Sequence, residues 1–273
     1  MLITKSTGGE EKFSKDKLCN SFVAAGAPID LAKNVCNLVQ KDIKPSLNTN
    51  RIYRMALSHL MKEDIDIAVR YSLRRGLERL GPAGFLFEQY IEALFQAHGY
   101  KTKRNQIVQG ACVDHEIDVM LETKNKTILI EVKYRNESKI KTHLDVVMYA
   151  DARRMDIQEY QKKQGKQYDM WLITNTQFTD KSIQYGSCKN QMKLIGWDYP
   201  NGRSLEDMII EKKVFPVTVL PYITNHLLDQ FAQAEIILIS DLIPYSENDL
   251  IKKFGMTDSR AKSIMKRVKE ITN

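Results

Sequence analysis

The chain has 273 residues, of which 43% are hydrophobic and 27% charged, with a formal net charge of +7. This composition excludes a disordered or collagen-like chain, and the length suits two or three domains. The mild basic excess fits a polyanionic partner without identifying one.

No apolar run approaches the roughly 20 residues of a membrane helix. The opening MLITKSTGGEEKF lacks the apolar core of a signal peptide. A cytoplasmic location and no membrane partner are therefore expected. The cysteines Cys19, Cys36, Cys112 and Cys188 are widely spaced and form no CxxC pair. Their spacing points to reduced thiols rather than a zinc site or a disulfide framework.

The first region runs to about residue 79. LITK (2–5) reads as a short strand, followed by a polar turn at Gly8 and Gly9. Helical spacing then marks Phe13, Leu18, Phe22 and Val23, next Leu31, Val35, Leu38 and Val39, and next Ile52, Ala56, Leu57 and Leu60. A fourth helix is expected over about 65–79, and Gly81-Pro82 breaks the chain after it.

The second region, 80–220, opens with a helix in which Phe87, Ile91, Leu94 and Phe95 recur at helical spacing. Gly99 terminates it. KTKRNQIVQ, EIDVMLE and TILIEVKYR read as strands, with a hairpin at Lys124–Lys126 between the last two. A helix containing LDVVMYADARRM follows, then the strand DMWLITN, a helix over 179–187 and the strand KLIGW. This order predicts an α/β sheet with helices on its faces. The third region, 221–273, is helical in pattern throughout.

ILIEVKYR (128–135) carries the chemistry. Side chains alternate along a strand, so Glu131 and Lys133 share a face and Val132 opposes them. A buried ion pair stabilises a core poorly, so this strand end is either exposed or reactive. On the neighbouring strand Asp118 sits among apolar residues, where an aspartate without a partner is costly. Glu88 borders the apolar stripe of the preceding helix. If Glu88, Asp118, Glu131 and Lys133 converge, their carboxylates repel unless a cation lies between them. Hard oxygen donors suit Mg²⁺ (or Mn²⁺), and Lys133 would then activate water or meet developing charge.

Asp118 followed by Glu131-Val132-Lys133 resembles the PD-(D/E)XK nuclease motif, and Glu88 matches the helix glutamate that often precedes it. The flanking QGACVDHEIDV and WLITNTQFTDKSIQYGSCKNQMKLIGW are similar to the Mrr group of restriction-endonuclease-like proteins. They are also similar to archaeal Holliday junction resolvases. The resemblance implies metal ligation by Asp118, Glu131 and the Val132 carbonyl, and water activation by Lys133. Mrr proteins often carry glutamine where Glu131 stands, so their preference for modified DNA is not carried over. His115 reads as a surface or hydrogen-bonding residue.

The N-terminal region resembles the ATP-cone, a nucleotide-sensing module, over about residues 1–78. Lys5 and Gly8 fall on its VxKRDG opening, Phe13 and Lys17 on its F-D-x-x-K segment, and AVRYSLRR (68–75) on its closing helix. Thr49, with Tyr53 one turn later, fits the start of its third helix. The resemblance implies that ATP or dATP binds as an allosteric effector at Lys5, Gly8, Glu11, Lys17, Thr49 and Tyr53. It also implies a homo-oligomer. Ser6 stands where the family usually has arginine.

FGMTDSRAKSIMKRVKE resembles the second half of a helix–hairpin–helix unit. Over residues 251–270 seven basic residues face two acidic ones. Lys253, Arg260, Lys262 and Lys266 are the expected phosphate contacts.

The expected architecture is thus a multidomain α+β chain. It comprises a mostly helical ATP-cone (1–79), a restriction-endonuclease-like α/β fold with a mixed sheet (80–220) and a helical, helix–hairpin–helix-like region (221–273). The expected activity is nucleotide-regulated, Mg²⁺-dependent DNA cleavage, in restriction or defence. The alternatives are a non-catalytic DNA-binding regulator and a junction-type resolvase.

Overall fold

The computed structural model describes residues 2–4, 9–44, 47–81, 85–137, 139–161 and 165–272. The chain forms two compact units, Met1–Arg74 with Lys266–Asn273, and Arg75–Met265.

In the first unit β1 (Leu2–Thr4) and β2 (Glu10–Lys12) form an antiparallel hairpin, followed by α1 (Lys15–Ala24), α2 (Ile29–Asp42), α3 (Thr49–Glu63) and α4 (Ile65–Leu77). Ser14 caps α1 by accepting the Lys17 N–H, and Asn48 caps α3 by accepting the Asn50 N–H. The apolar stripes read from the sequence meet in one core, with Phe22, Val35, Val39, Ala56 and Leu60 buried at its centre. Thr4 donates its N–H to the Leu47 carbonyl, which brings the end of β1 beside the start of α3. The reading of four free thiols is corrected at two positions. Cys19 of α1 and Cys36 of α2 form a disulfide, because the packing of these helices sets their Cα atoms 5.8 Å apart.

The second unit is built on a five-stranded sheet ordered β3-β4-β5-β6-β7. These are β3 (Lys101–Gln109), β4 (Asp114–Glu122), β5 (Thr127–Lys133), β6 (Tyr168–Thr174) and β7 (Met192–Ile195). The first three pair antiparallel through hairpins, and β5, β6 and β7 pair parallel. Each parallel step needs a crossover, supplied by α6 (Leu144–Gln161) and α7 (Asp180–Ser187). α5 (Phe85–Ala97) precedes the sheet and packs Phe95 against Trp171 of β6. Val147, Ala150 and Ile157 of α6 share a core with Leu129, Met170 and Leu172. β5 is buried along nearly its whole length, as a strand covered on both faces should be. β3, at the sheet edge, alternates between exposed and half-buried positions and presents lysines.

β5 ends at Lys133, two residues before the apolar reading placed its end. A further helix, α8 (Leu205–Lys212), begins at a capping box of Ser204 and Asp207 that the sequence reading passed over. Beyond it, two 3₁₀ turns, Val217–Val219 and Ile239–Leu242, each lead into a helix, α9 (Asn225–Gln233) and α10 (Glu247–Phe254). Reciprocal bonds from Val217 N–H to the Ile237 carbonyl (2.8 Å) and from Ile239 N–H to the Phe215 carbonyl (2.9 Å) hold the two turns together. Gly255 leaves α10 with φ of +63°, where a side chain would be strained, and α11 (Asp258–Thr272) follows.

α7 lies so close to β7 that a Cβ on Gly186 would stand 2.7 Å from Leu194 Cδ1. Gly186→Ala is therefore expected to destabilise the protein by about 1–3 kcal/mol through overpacking. Chemical denaturation monitored by circular dichroism measures this loss.

Candidate active site

The site begins where two strands part. The β4–β5 ladder runs from Glu122↔Thr127 to Val119↔Ile130 and stops there. Both strands continue, but with other neighbours. β4 stays paired with β3 as far as Asp114, and β5 with β6 as far as Lys133. A notch therefore opens between β4 and β5 at the level of Asp118 and Glu131.

Three interactions line it. The Val132 N–H donates to Asp118 Oδ2 at 2.6 Å, so a backbone donor at the end of the ladder is met by a carboxylate. The Lys133 ammonium donates to Glu131 Oε1 at 3.2 Å, along the strand face that alternation assigns to both. Arg153, from α6, donates through one guanidinium nitrogen to Glu131 Oε2 and through the other to the Glu116 carbonyl. Glu131 is 5% exposed and Arg153 9%, so this pair is made within the protein rather than on its surface.

The electrostatics follow from this crowding. Burial, then the charge of Glu131, push the Asp118 carboxyl up to about 7, against the pull of the Val132 N–H and Arg153. Burial also raises Glu88, and Glu116 and Glu131 add to the rise while Arg104 and Lys133 oppose it. Glu88 is half-buried on α5 and belongs electrostatically to the cluster. Asp118, Glu131 and Lys133 thus come together, with Glu88 beside them. The Val132 carbonyl belongs to the same strand end.

The donor set fits a hard divalent cation. Mg²⁺ needs only one or two protein carboxylates when waters and substrate phosphates complete its shell. Asp118 and Glu131 are two such carboxylates, and burial together with the Glu131 charge holds the Asp118 carboxyl raised. Among the described residues no three of His, Cys, Asp and Glu are grouped as they would be to hold a metal ion by themselves.

The sequence reading missed Arg153 and Glu116. Arg153 lies in the run Asp151-Ala152-Arg153-Arg154, whose three charged residues are all buried in the structure. Asp151 answers Arg154 at 2.8 Å, and Arg153 answers Glu131. His115, read as a hydrogen-bonding residue, bonds Asp156 Oδ2 at 2.7 Å. Asp156 also accepts the Cys112 and Val113 N–H groups and so pins the β3–β4 turn to α6. The His115 bond is the main cause that lowers the Asp156 carboxyl to about 2.

The other expected contacts are spread over the remaining elements. Lys5 and Gly8 lie outside the described residues. Glu11 is on β2 opposite Ile3, Lys17 is in the first turn of α1, and Thr49 opens α3. Tyr53 stacks on Tyr71 with ring centroids 5.3 Å apart. In the C-terminal helices, Lys253 lies over the Tyr245 ring and Arg260 donates to the Tyr222 carbonyl. Lys262 pairs with Asp258 at 2.8 Å and Lys266 with Glu270 at 3.8 Å. Lys253, Lys262 and Lys266 are exposed, and Arg260 is half-buried. Among the described residues no helix is long and apolar enough to cross a membrane.

Residues 82–200 match a family described as restriction endonuclease, and residues 215–272 match one described as AF1548-like, C-terminal. The chain is similar to an uncharacterized protein of Archaeoglobus fulgidus, 32% identical over 178 residues, spanning 65% of this chain and 97% of the relative. It is also similar to a crystal structure of a protein of unknown function, AF1548, with a TM-score of 0.56 and 31% identity. That match covers 68% of this chain and 97% of the other.

Asp118 gives a stability signature. Its folded-state pKa, near 7, lies above its ordinary value of 3.8, so the folded state binds the extra proton between these values. Its contribution to stability is full at low pH and is lost as pH rises through about 7. Asp118→Asn keeps an acceptor for the Val132 N–H and removes the charge. In the absence of divalent metal, the variant should gain on the order of 2 kcal/mol over the wild type at pH 8, and the gain should shrink toward pH 5. Urea denaturation in EDTA at the two pH values measures the difference.

Proposed function

The chain belongs to the AF1548-like family and carries a restriction-endonuclease domain over residues 82–200, and from that premise we propose that it is a metal-dependent DNA endonuclease. The observation that carries this reading is the parting of β4 and β5. It sets Asp118, Glu131 and Lys133 in one notch.

Asp118, Glu131 and the Val132 carbonyl would hold Mg²⁺ or Mn²⁺. When bound, the ion polarises a phosphoryl oxygen and lowers the pKa of a coordinated water. Lys133 is tethered to Glu131 and half-exposed, so its ammonium is positioned to hold the attacking water and meet charge developing on the phosphate. Glu88 would orient water at the edge of the site, where burial and the neighbouring Glu116 raise its carboxyl. Arg104 bonds Glu92 at 2.5 Å and is not assigned to substrate. Lys253, Arg260, Lys262 and Lys266 would take duplex phosphates without reading sequence, giving a strong salt dependence.

The N-terminal unit would bind ATP or dATP around the β1–β2 hairpin and the start of α3 and so control cleavage, with a homo-oligomer as the responding assembly. The bond from Thr4 to Leu47, which joins hairpin and helix, supports this placement. The matched family spans begin at residue 82, so the nucleotide reading rests on the N-terminal motifs alone.

A second reading is a DNA-binding regulator with an inert nuclease fold. It draws on one observation: both Glu131 oxygens already receive hydrogen bonds, from Lys133 and Arg153.

Supercoiled plasmid, linear duplex and four-way-junction DNA incubated with purified protein distinguish these readings. Cleavage is expected with Mg²⁺ and not with EDTA, and Glu131→Ala should lower it at least about 100-fold. ATP or dATP should change the wild-type rate. DNA binding without cleavage in any lane would establish the regulator. Cleavage unaffected by Glu131→Ala would place the chemistry elsewhere.

A further inference from the structure

Arg153 is a buried cation on a candidate metal ligand. It reaches Glu131 Oε2 through one nitrogen and the Glu116 carbonyl through the other, bridging the two strands whose parting opens the notch. Its guanidinium carbon lies 5.7 Å from the centroid of the Tyr149 ring, one turn earlier on α6. Tyr149 is 63% exposed, so the ring lies toward solvent while the guanidinium stays 9% exposed. Arg153 is thus held by two acceptors and an aromatic face.

The charge count gives this arrangement a purpose. Glu88, Glu116, Asp118 and Glu131 act on one another across the site, and Lys133 and Arg153 are the cations in contact with Glu131. Removing Arg153 would leave Glu131 with Lys133 alone, in a setting where an unmatched buried charge is costly. A divalent cation at Asp118 and Glu131 would meet the same need with twice the charge. It would also lie close to a guanidinium that repels it. The arginine and the cation therefore compete for one carboxylate.

Resting on the metal-dependent reading above, we propose that Arg153 is the built-in counter-ion of the metal-free site. It keeps Glu131 satisfied until a divalent cation displaces it, and so sets the concentration at which the site loads. Arg153 is in this sense a positioning residue, acting through Glu131 rather than on the phosphate. The cost is weaker metal binding, and the return is a folded notch without metal.

The test measures binding rather than cleavage. Mn²⁺ alone is titrated calorimetrically into the full-length protein, and the same preparations are melted in EDTA. Arg153→Met should bind Mn²⁺ on the order of tenfold more tightly than the wild type and melt at a lower temperature in EDTA. Arg153→Lys, which retains the charge, should fall within about threefold of the wild type. Tyr149→Ala alters only an exposed ring and keeps the fold. It should tighten Mn²⁺ binding about two- to fivefold by loosening the guanidinium. Unchanged or weaker Mn²⁺ binding in both Arg153→Met and Tyr149→Ala would overturn the proposal. If Arg153→Met does not fold, Tyr149→Ala alone decides. Should the wild type bind Mn²⁺ too weakly to measure, the appearance of binding in either variant supports the proposal and its absence overturns it. The nuclease reading is judged separately, by wild-type cleavage in Mg²⁺.

Discussion

The short bond from the Val132 N–H to Asp118 organises the second unit's chemistry. A β-ladder that ends inside a sheet leaves backbone groups to be satisfied, and such groups are costly to bury alone. Here the donor is satisfied by an acidic side chain. That bond holds Asp118 beside Glu131, and the repulsion between them, added to burial, raises the Asp118 carboxyl. Every other charge at the site responds to this one juxtaposition. Lys133 answers Glu131 along the strand, Arg153 answers it across the notch, and Glu88 registers it from α5.

The scaffold keeps the notch open because β5 is central. It is antiparallel to β4 on one side and parallel to β6 on the other, so one end of it can lose β4 and still be held by β6. The chain just beyond is fixed as well. The Asn175 side chain accepts the Arg135 N–H at 2.8 Å and donates to the Arg135 carbonyl at 2.6 Å. Tyr134 donates its hydroxyl to the Glu78 carbonyl at 2.6 Å. Lys133 therefore lies between a paired strand and a segment held by hydrogen bonds on both sides of its backbone.

Much of this was legible in the sequence. In EIDVMLE, Glu116 and Asp118 alternate with Ile117, Val119 and Leu121, and in the structure the apolar three are buried while Glu116 and Asp118 are not. The hairpin spacing put Asp118 level with Glu131, and the β4–β5 register, continued by one residue, does the same. Arg153 escaped because its partner is a long-range one: a helix pattern gives the face a residue occupies, and not which strand charge it meets. The Cys19–Cys36 bond escaped for a related reason, since seventeen residues and a turn separate the two cysteines and only helix packing brings them together. α8 was missed locally, where the capping box Ser204-Asp207 was available to be read.

The most direct test of the central claim, that the notch between β4 and β5 is a metal-dependent nuclease site, is single-turnover nicking of supercoiled DNA across a Mg²⁺ titration by the wild type and Lys133→Ala. The wild-type rate should rise with Mg²⁺ and saturate. The Lys133→Ala rate should be at least about 100-fold lower at saturating metal, with DNA binding retained. Equal rates in the two proteins, or nicking that persists in EDTA, would contradict the claim.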